Sequence, residues 1–284
     1  VDRIKIAPDY DSKYLEIERP QPLTDKKIDT LIQQVLHGCL DKDISNEVYN
    51  RFKFRFVNWL SESKRNSLYG LKKFNRIDII NGCTQFIDNI YMHHRVQTLV
   101  DDYRYHSRLN LSYLVTPKNL IHGVPLIIAM PFPQIGSIHN NMQDILSECA
   151  EKKIDVHIDG AWVTTCTDIE FDFNHPNIKS VGISLSKGLG LGWNRIGLRW
   201  SNEDSDSITI MNDFHMNNKA LVMIGSYFLD ELVPDYLWNT HEHRYKTICK
   251  DFNLTETKSI YLALKNGMPV GVSPLIRYLE ENGI

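Results

Sequence analysis

The chain has 284 residues, of which 42% are hydrophobic and 24% charged, with a formal net charge of −3. This is the balance of a globular protein large enough to bury a core without disulfide staples. So small a net charge gives no electrostatic case for nucleic acid or a membrane surface as a partner. The five cysteines, Cys39, Cys83, Cys149, Cys166 and Cys249, are scattered and show no C-x-x-C or Cys/His ligand spacing. They are expected to be reduced thiols in a cytoplasmic setting. No apolar run reaches the roughly 18 residues that a spanning helix needs. The opening Val1-Asp-Arg-Ile-Lys5 lacks the basic-then-apolar order of a secretory signal.

Residues 1–24, with Pro8, Pro20 and Pro22, read as an extended arm. Thr24 is placed to cap a helix in which Ile28, Leu31, Ile32, Val35 and Leu36 recur at helical spacing. A second helix is predicted from about Glu47 to Lys64, with Phe52, Phe56, Trp59 and Leu60 as an apolar stripe. The stripe reads as core rather than as a base-stacking surface, because no excess of basic residues flanks it. With Tyr69 it is also a candidate patch for a second subunit.

From Ile77 the texture changes. Ile77-Asp-Ile-Ile80 reads as a strand ending in Asn81-Gly-Cys-Thr-Gln85, and a helix is expected from Gln85 to about Arg95. Further strands are expected at Gln97–Val100, Pro125–Met130, Ile154–Ile158 and Ser180–Ser184. The segment Ser137–Lys152 reads as a helix, and Arg195–Trp200 as a strand returning antiparallel. Strands alternating with helices imply an α/β fold, a mainly parallel sheet with helices on both faces. From Asn217 onward the pattern is mostly helical, broken at Pro234, with a last helical hairpin expected over Thr255 to Asn282. Residues 1–76 are accordingly read as an N-terminal arm and helices, 77–215 as a large domain, and 216–284 as a reduced helical region.

Ligands of parallel sheets sit beyond the carboxyl ends of the strands. Asn81-Gly82, Asp159 and Lys187 all follow directly on predicted strands, so three otherwise distant motifs can converge at one edge. Asp159 closes the apolar run of Asp155-Val-His-Ile-Asp-Gly-Ala-Trp162. Lys187 sits in the Ser/Gly-rich stretch Ser184-Leu-Ser-Lys-Gly-Leu-Gly-Leu-Gly-Trp-Asn-Arg-Ile-Gly197, with Arg195 eight residues beyond it. Competing motifs fail on geometry. Gly188-Leu-Gly-Leu-Gly192 lacks the third glycine of a dinucleotide loop, since Arg195 stands there. His241-Glu-His243 and His93-His94 do not share a helix face, so no metal site is expected.

These two segments together resemble the fold-type I enzymes that use pyridoxal 5′-phosphate (PLP), the aspartate aminotransferase superfamily. The resemblance covers residues 77–200 well and the flanks weakly. It implies that Lys187 makes a Schiff base with the cofactor's aldehyde and that Asp159 pairs with its pyridinium nitrogen. It further implies that Arg195, Ser184 or Ser186, and the turn Gly82-Cys83-Thr84 bind the phosphate. Tyr103, in Asp101-Asp-Tyr-Arg-Tyr-His106, lies where the family puts an aromatic ring against the cofactor's face; Tyr105 and His106 compete for that place.

The chain departs from the family in three respects. The family's asparagine after the middle strand is missing from Pro131-Phe-Pro-Gln-Ile-Gly136, where Gln134 is the nearest substitute. The family's tyrosine after the aspartate is replaced by Trp162, whose N–H can donate but cannot act as a base. The stretch after Lys187 is short, and neither Arg244 nor Arg277 matches a motif for a substrate carboxylate. The resemblance implies a homodimeric aminotransferase-like enzyme acting on an amino acid or amine, with Lys187 as the catalytic proton carrier. A decarboxylase or carbon–carbon lyase, or a PLP-fold protein that binds without turnover, are the alternatives.

Overall fold

The computed structural model describes residues 22–39 and 45–283. The arm expected over residues 1–24 lies, as far as residue 21, outside the described residues. In chain order the chain forms α1 (Lys26–Cys39), α2 (Glu47–Ser61), β1 (Ser67–Tyr69), β2 (Arg76–Ile80), α3 (Cys83–His93), β3 (Gln97–Leu99) and α4 (Arg104–Leu109). It continues through β4 (Tyr113–Val115), β5 (Leu126–Ala129), α5 (Met142–Glu151), β6 (Val156–Gly160), β7 (Glu170–Asp172), β8 (Ile178–Ser184) and α6 (Leu185–Gly188). The remainder is β9 (Gly197–Ser201), α7 (Ser207–Asp213), α8 (Lys219–Glu231), α9 (Tyr236–Asp251), β10 (Thr255–Glu256), β11 (Leu262–Lys265), β12 (Met268–Gly271) and α10 (Ser273–Glu281).

Seven strands form the central sheet in the order β2-β9-β8-β6-β5-β3-β4. Neighbours from β8 to β4 pair in parallel, while β9 runs antiparallel between β2 and β8. The fold is thus α/β with a mainly parallel sheet, and the returning strand has the expected direction. The strands are apolar on both faces, as a doubly covered sheet requires. Successive residues point to opposite sides. Ile80 and Ile127 meet Phe86, Ile87 and Ile90 of α3 on one face. Ile79, Leu126 and Ile128 join the larger core on the other, with Phe52, Phe56 and Trp59 of α2 and Ile145 and Leu146 of α5.

Phe52, Phe56 and Trp59 are fully buried within the single chain. Phe56 meets Trp200 of β9 edge-to-face, ring centroids 6.3 Å apart. The stripe is core, and the expectation that it crosses to a second subunit is corrected. Of the cysteines, Cys83, Cys149, Cys166 and Cys249 are free and buried; the side chain of Cys39 lies outside the described residues.

Two further expectations are corrected. The helix read from Ser137 begins only at Met142. The segment from Thr255 is not a helical hairpin: β10, β11 and β12 form an antiparallel sheet, and only α10 follows as a helix. The cause is the turn Asn266-Gly267, with φ of 53° and 80°. Two residues at positive φ, in the pairing Lys265↔Met268, make the two-residue hairpin that Asn-Gly favours most strongly. Tyr245 of α9 anchors this small sheet: its hydroxyl donates to the Leu262 carbonyl at 2.8 Å and accepts from the Thr257 amide at 2.7 Å.

One buried ion cluster fixes the antiparallel part of the sheet. Arg199 of β9 donates to Asp78 of β2 at 2.7 Å and to Asp206, the N-cap of α7. Its guanidinium joins two buried carboxylates, of which Asp78 also pairs with Arg76 and Asp206 also accepts from Asn89 and the Thr209 amide.

Candidate active site

Strands β2, β3, β5, β6 and β8 end on one edge of the sheet, and β9 begins there, because Gly197 pairs with both Ile80 and Ser184. At this edge lies a cavity of about 400 Å³, a size typical of small-molecule sites. Lys187, Asp159, Ser184, Ser186, Arg195, Cys83, Thr84, Tyr103, Gln134 and Trp162 all line it. Gly82 is not among the lining residues but packs against the Arg195 guanidinium, which is. The edge therefore gathers the residues that the sequence singled out.

The β2 end forms an anion cradle. Gly82 is the N-cap of α3 and has no side chain to cap it; the Gln85 amide bonds the Gly82 carbonyl at 3.1 Å, and the Cys83 and Thr84 amides remain for an acceptor. Arg195 Nη2 donates to Thr84 Oγ1 at 2.7 Å, and Nε lies 3.4 Å from the Asn81 carbonyl. Gly82 has φ +74°, and a Cβ there would stand 2.8 Å from Arg195 Nη2. Both facts demand glycine.

Asp159, 4% exposed, is the next-to-last residue of β6 and not, as expected, the residue after the strand. Its Oδ1 accepts from the Ala161 amide at 3.0 Å. Burial pushes its carboxyl up to about 6, against the pull of that amide, the Cys83 thiol and the Arg195 charge. The Cys83 thiol is itself pushed well up, by burial and then by the Asp159 charge. A buried carboxyl so poised gains from a cationic hydrogen-bond donor.

Lys187 lies on a single helical turn, α6, not in an open loop. Ser184 caps the turn, its Oγ accepting from the Ser186 amide at 3.1 Å. The Ser184 and Ser186 hydroxyls lie 2.9 Å apart. Ser184 therefore has a structural duty, and Ser186 has the less committed hydroxyl. Lys187 Nζ stands 5.6 Å from the centroid of the Trp162 ring. Gly188 has no room for a side chain, since a Cβ would fall inside the side chain of Thr164. Tyr261, fully buried, ties the turn from behind: its hydroxyl donates to the Lys187 carbonyl at 2.5 Å and accepts from the Leu23 amide at 2.6 Å. The same ring meets Trp162 edge-to-face at 5.6 Å.

Tyr103 stands at the cavity beside the end of β3, 41% exposed and stacked on Tyr105 at 5.8 Å. Tyr105 and His106 do not line the cavity; the Tyr105 hydroxyl donates to Asp88 at 2.6 Å. Gln134 reaches the cavity from the segment after β5.

Several lining residues escaped the sequence reading. Asp102 is buried, accepting from the Tyr103 amide at 2.6 Å and the Ala129 amide at 3.0 Å. Burial, with the nearby Asp159 charge adding to it, pushes its carboxyl up to about 7. The available signal was the acid pair Asp101-Asp102 after a strand, but only the fold shows which of the two is buried. Arg104, Leu262, Met268 and Pro269 also line the cavity. The last three come from the hairpin, whose Asn266-Gly267 signal was legible and outweighed by apolar periodicity.

No family model matches the chain, and no curated protein sequence does. Solved structures do. An aminotransferase from Staphylococcus aureus matches over 98% of this chain and 95% of its own, with a TM-score of 0.60 and 16% identity. A PLP-bound C-S lyase from Staphylococcus hominis matches over 93% and 80%, at 0.61 and 12%. The aspartate aminotransferase of Thermotoga maritima matches over 86% and 74%, at 0.63 and 9%. This chain has the PLP-transferase fold. At such identities the likeness concerns backbone architecture. The PLP-transferase fold hosts lyases as well as transferases among these neighbours, so function has to be argued from the site.

Proposed function

We propose that this protein is a PLP-dependent enzyme that acts on the amino group of an amino acid or amine, most simply as an aminotransferase. The observation that carries the reading is the gathering of Lys187, Asp159 and Arg195 around one cavity at the carboxyl edge of the sheet. The residues fit the cofactor on physical grounds. Gly82 leaves the space that a Cβ would fill, so backbone amides and the Arg195 guanidinium reach one phosphate together. Asp159 is a buried carboxyl suited to a protonated pyridine nitrogen. Lys187 offers a primary amine in the same cavity.

When bound, PLP supplies an aldehyde for amines and a ring that accepts the electron pair released at a neighbouring carbon. The chain's residues do the rest. Arg195, Thr84 and the first-turn amides of α3 hold the phosphate. Asp159 keeps the ring nitrogen protonated. Lys187, held by Tyr261 and the Ser184 cap, takes and returns the substrate's α-proton at Nζ. Trp162 and the hairpin residues Leu262 and Pro269, which line the cavity, would keep water from the reacting carbon. Gln134, which lines the cavity, would serve the ring oxygen in place of an asparagine, and Tyr103 would supply an aromatic ring to the cofactor's face. The reading carries with it a homodimer.

Loading the protein with PLP and adding single amino acids tests this reading. Loss of the visible absorbance band with formation of the matching keto acid supports transamination. Release of carbon dioxide, or of a thiol with pyruvate, moves the assignment to decarboxylation or to the C–S cleavage for which one neighbour is named. A protein that takes up PLP but turns over no amino acid or amine is a binding protein, and the enzyme reading fails.

A further inference from the structure

The cavity has two cationic ends. Among its lining residues the cations are Lys187, Arg195 and Arg104. Arg195 approaches from the start of β9, held by Thr84 and Asn81. Arg104 opens α4 just after β3, and β8, β6 and β5 lie between β9 and β3 in the sheet. The two arginines thus reach the cavity from opposite sides of Asp159, the next-to-last residue of the middle strand β6. The arginines of the C-terminal helices do not line it. Arg244 Nη1 lies 3.4 Å from His241 Nδ1, and Arg277 Nε bonds Glu281 at 2.8 Å. The hairpin adds an apolar wall through Leu262, Met268 and Pro269.

We infer that Arg104 is the residue that binds the substrate's carboxylate, and that the substrate is an α-amino acid with an uncharged, apolar side chain. The inference rests on the proposed PLP reading and adds the substrate class to it. The physical argument is one of complementarity. With Arg195 at the cradle and Lys187 needed as an amine, a second anion in the cavity finds its cation in Arg104. A guanidinium meets a carboxylate through two parallel hydrogen bonds, which fixes the α-carbon's orientation as well as its place. Asp102 positions this arginine. Its carboxyl accepts from the backbone amides of Tyr103 and Ala129, which pins the start of α4 to the end of β5. A side chain on the same α-carbon then meets the wall of Leu262, Met268 and Pro269, whose apolar side chains offer a charged group no ionic partner.

The test separates this inference from the reading beneath it. PLP uptake by the unsubstituted protein is measured first; if there is none, the PLP reading falls and the inference with it. The loaded protein is then titrated with L-methionine, with L-aspartate and with 3-(methylsulfanyl)propylamine, which is L-methionine without its carboxylate, and the visible absorbance is followed. The expected result is a response to L-methionine at lower concentration than to either of the others. Arg104→Met should raise the half-saturating L-methionine concentration at least tenfold, change that for the amine less than twofold, and leave PLP affinity unaltered. Arg104→Lys should recover part of the loss. If Arg104→Met weakens amine and amino acid alike, or weakens neither, Arg104 does not hold the carboxylate. If L-aspartate is preferred over L-methionine, the apolar side-chain assignment is overturned.

Discussion

Asp159 is the residue on which the electronics of the site turn, and its environment makes it testable without a substrate. Asp159 and Asp102 bind protons more tightly folded than unfolded, since burial raises both carboxyls, to about 6 and about 7. Their contribution to stability is full below about pH 4, the unfolded value, and is lost as pH rises through those folded values. A two-unit shift corresponds to about 3 kcal/mol. Without added PLP, the melting temperature should therefore fall between about pH 4 and about pH 7, and Asp159→Asn should flatten that fall. An unchanged slope in the variant would mean that Asp159 is not the group being titrated. The same variant, loaded with PLP, keeps the shape but loses the charge, and should bind cofactor yet turn over at least tenfold more slowly. Gly82→Ala should push Arg195 off the cradle and lower PLP affinity; an unchanged affinity in a titration would contradict the cradle. Asp159, Lys187 and Gly82 were legible in the sequence because each stands where an apolar run gives way to small or polar residues. Asp102 and Arg104 were not, because their places depend on where β3 sits in the sheet.

The element that presents the lysine is one turn long, so its stability comes from its supports. Ser184 caps it, Tyr261 holds its carbonyl, and Gly188 lets it lie flat on Thr164. Gly188→Ala should cost about 1–3 kcal/mol by overpacking and should move the Lys187 amine. Urea unfolding measures the first effect and the PLP absorbance band the second. The Arg199 cluster plays the matching part for β9, which Arg195 precedes by two residues. Arg199→Met leaves Asp206 buried without its cation and Asp78 with Arg76 alone, and should cost about 3–5 kcal/mol, measured by urea unfolding. A loss of less than about 1 kcal/mol at neutral pH would place the cluster among interactions of no net worth. The strands of this sheet were visible as β-rich apolar runs, and β9 was expected to return antiparallel, as it does. The C-terminal sheet was misread because the apolar residues of β11, the hairpin and α10 also fit a helical period. The turn Asn266-Gly267, a stronger local constraint, decides the matter.

At the scale of the whole molecule, the sheet brings residues scattered from Gly82 to Pro269 to one edge, and no part of the sequence alone could state those distances. What could be stated was the rule that parallel strands deliver their ends to one place. Among the described residues, no helix is long and apolar enough to cross a membrane. Sedimentation at micromolar concentration should give twice the mass of the chain, and a monomer that turns over substrate would show that one chain builds the whole site. The central claim is that Lys187 carries the cofactor. Borohydride reduction of the PLP-saturated protein, followed by mass mapping of its peptides, tests it most directly. The account predicts one pyridoxyl group, on Lys187, absent from a Lys187→Ala variant; a group fixed on any other lysine, or none on saturated protein, would contradict it.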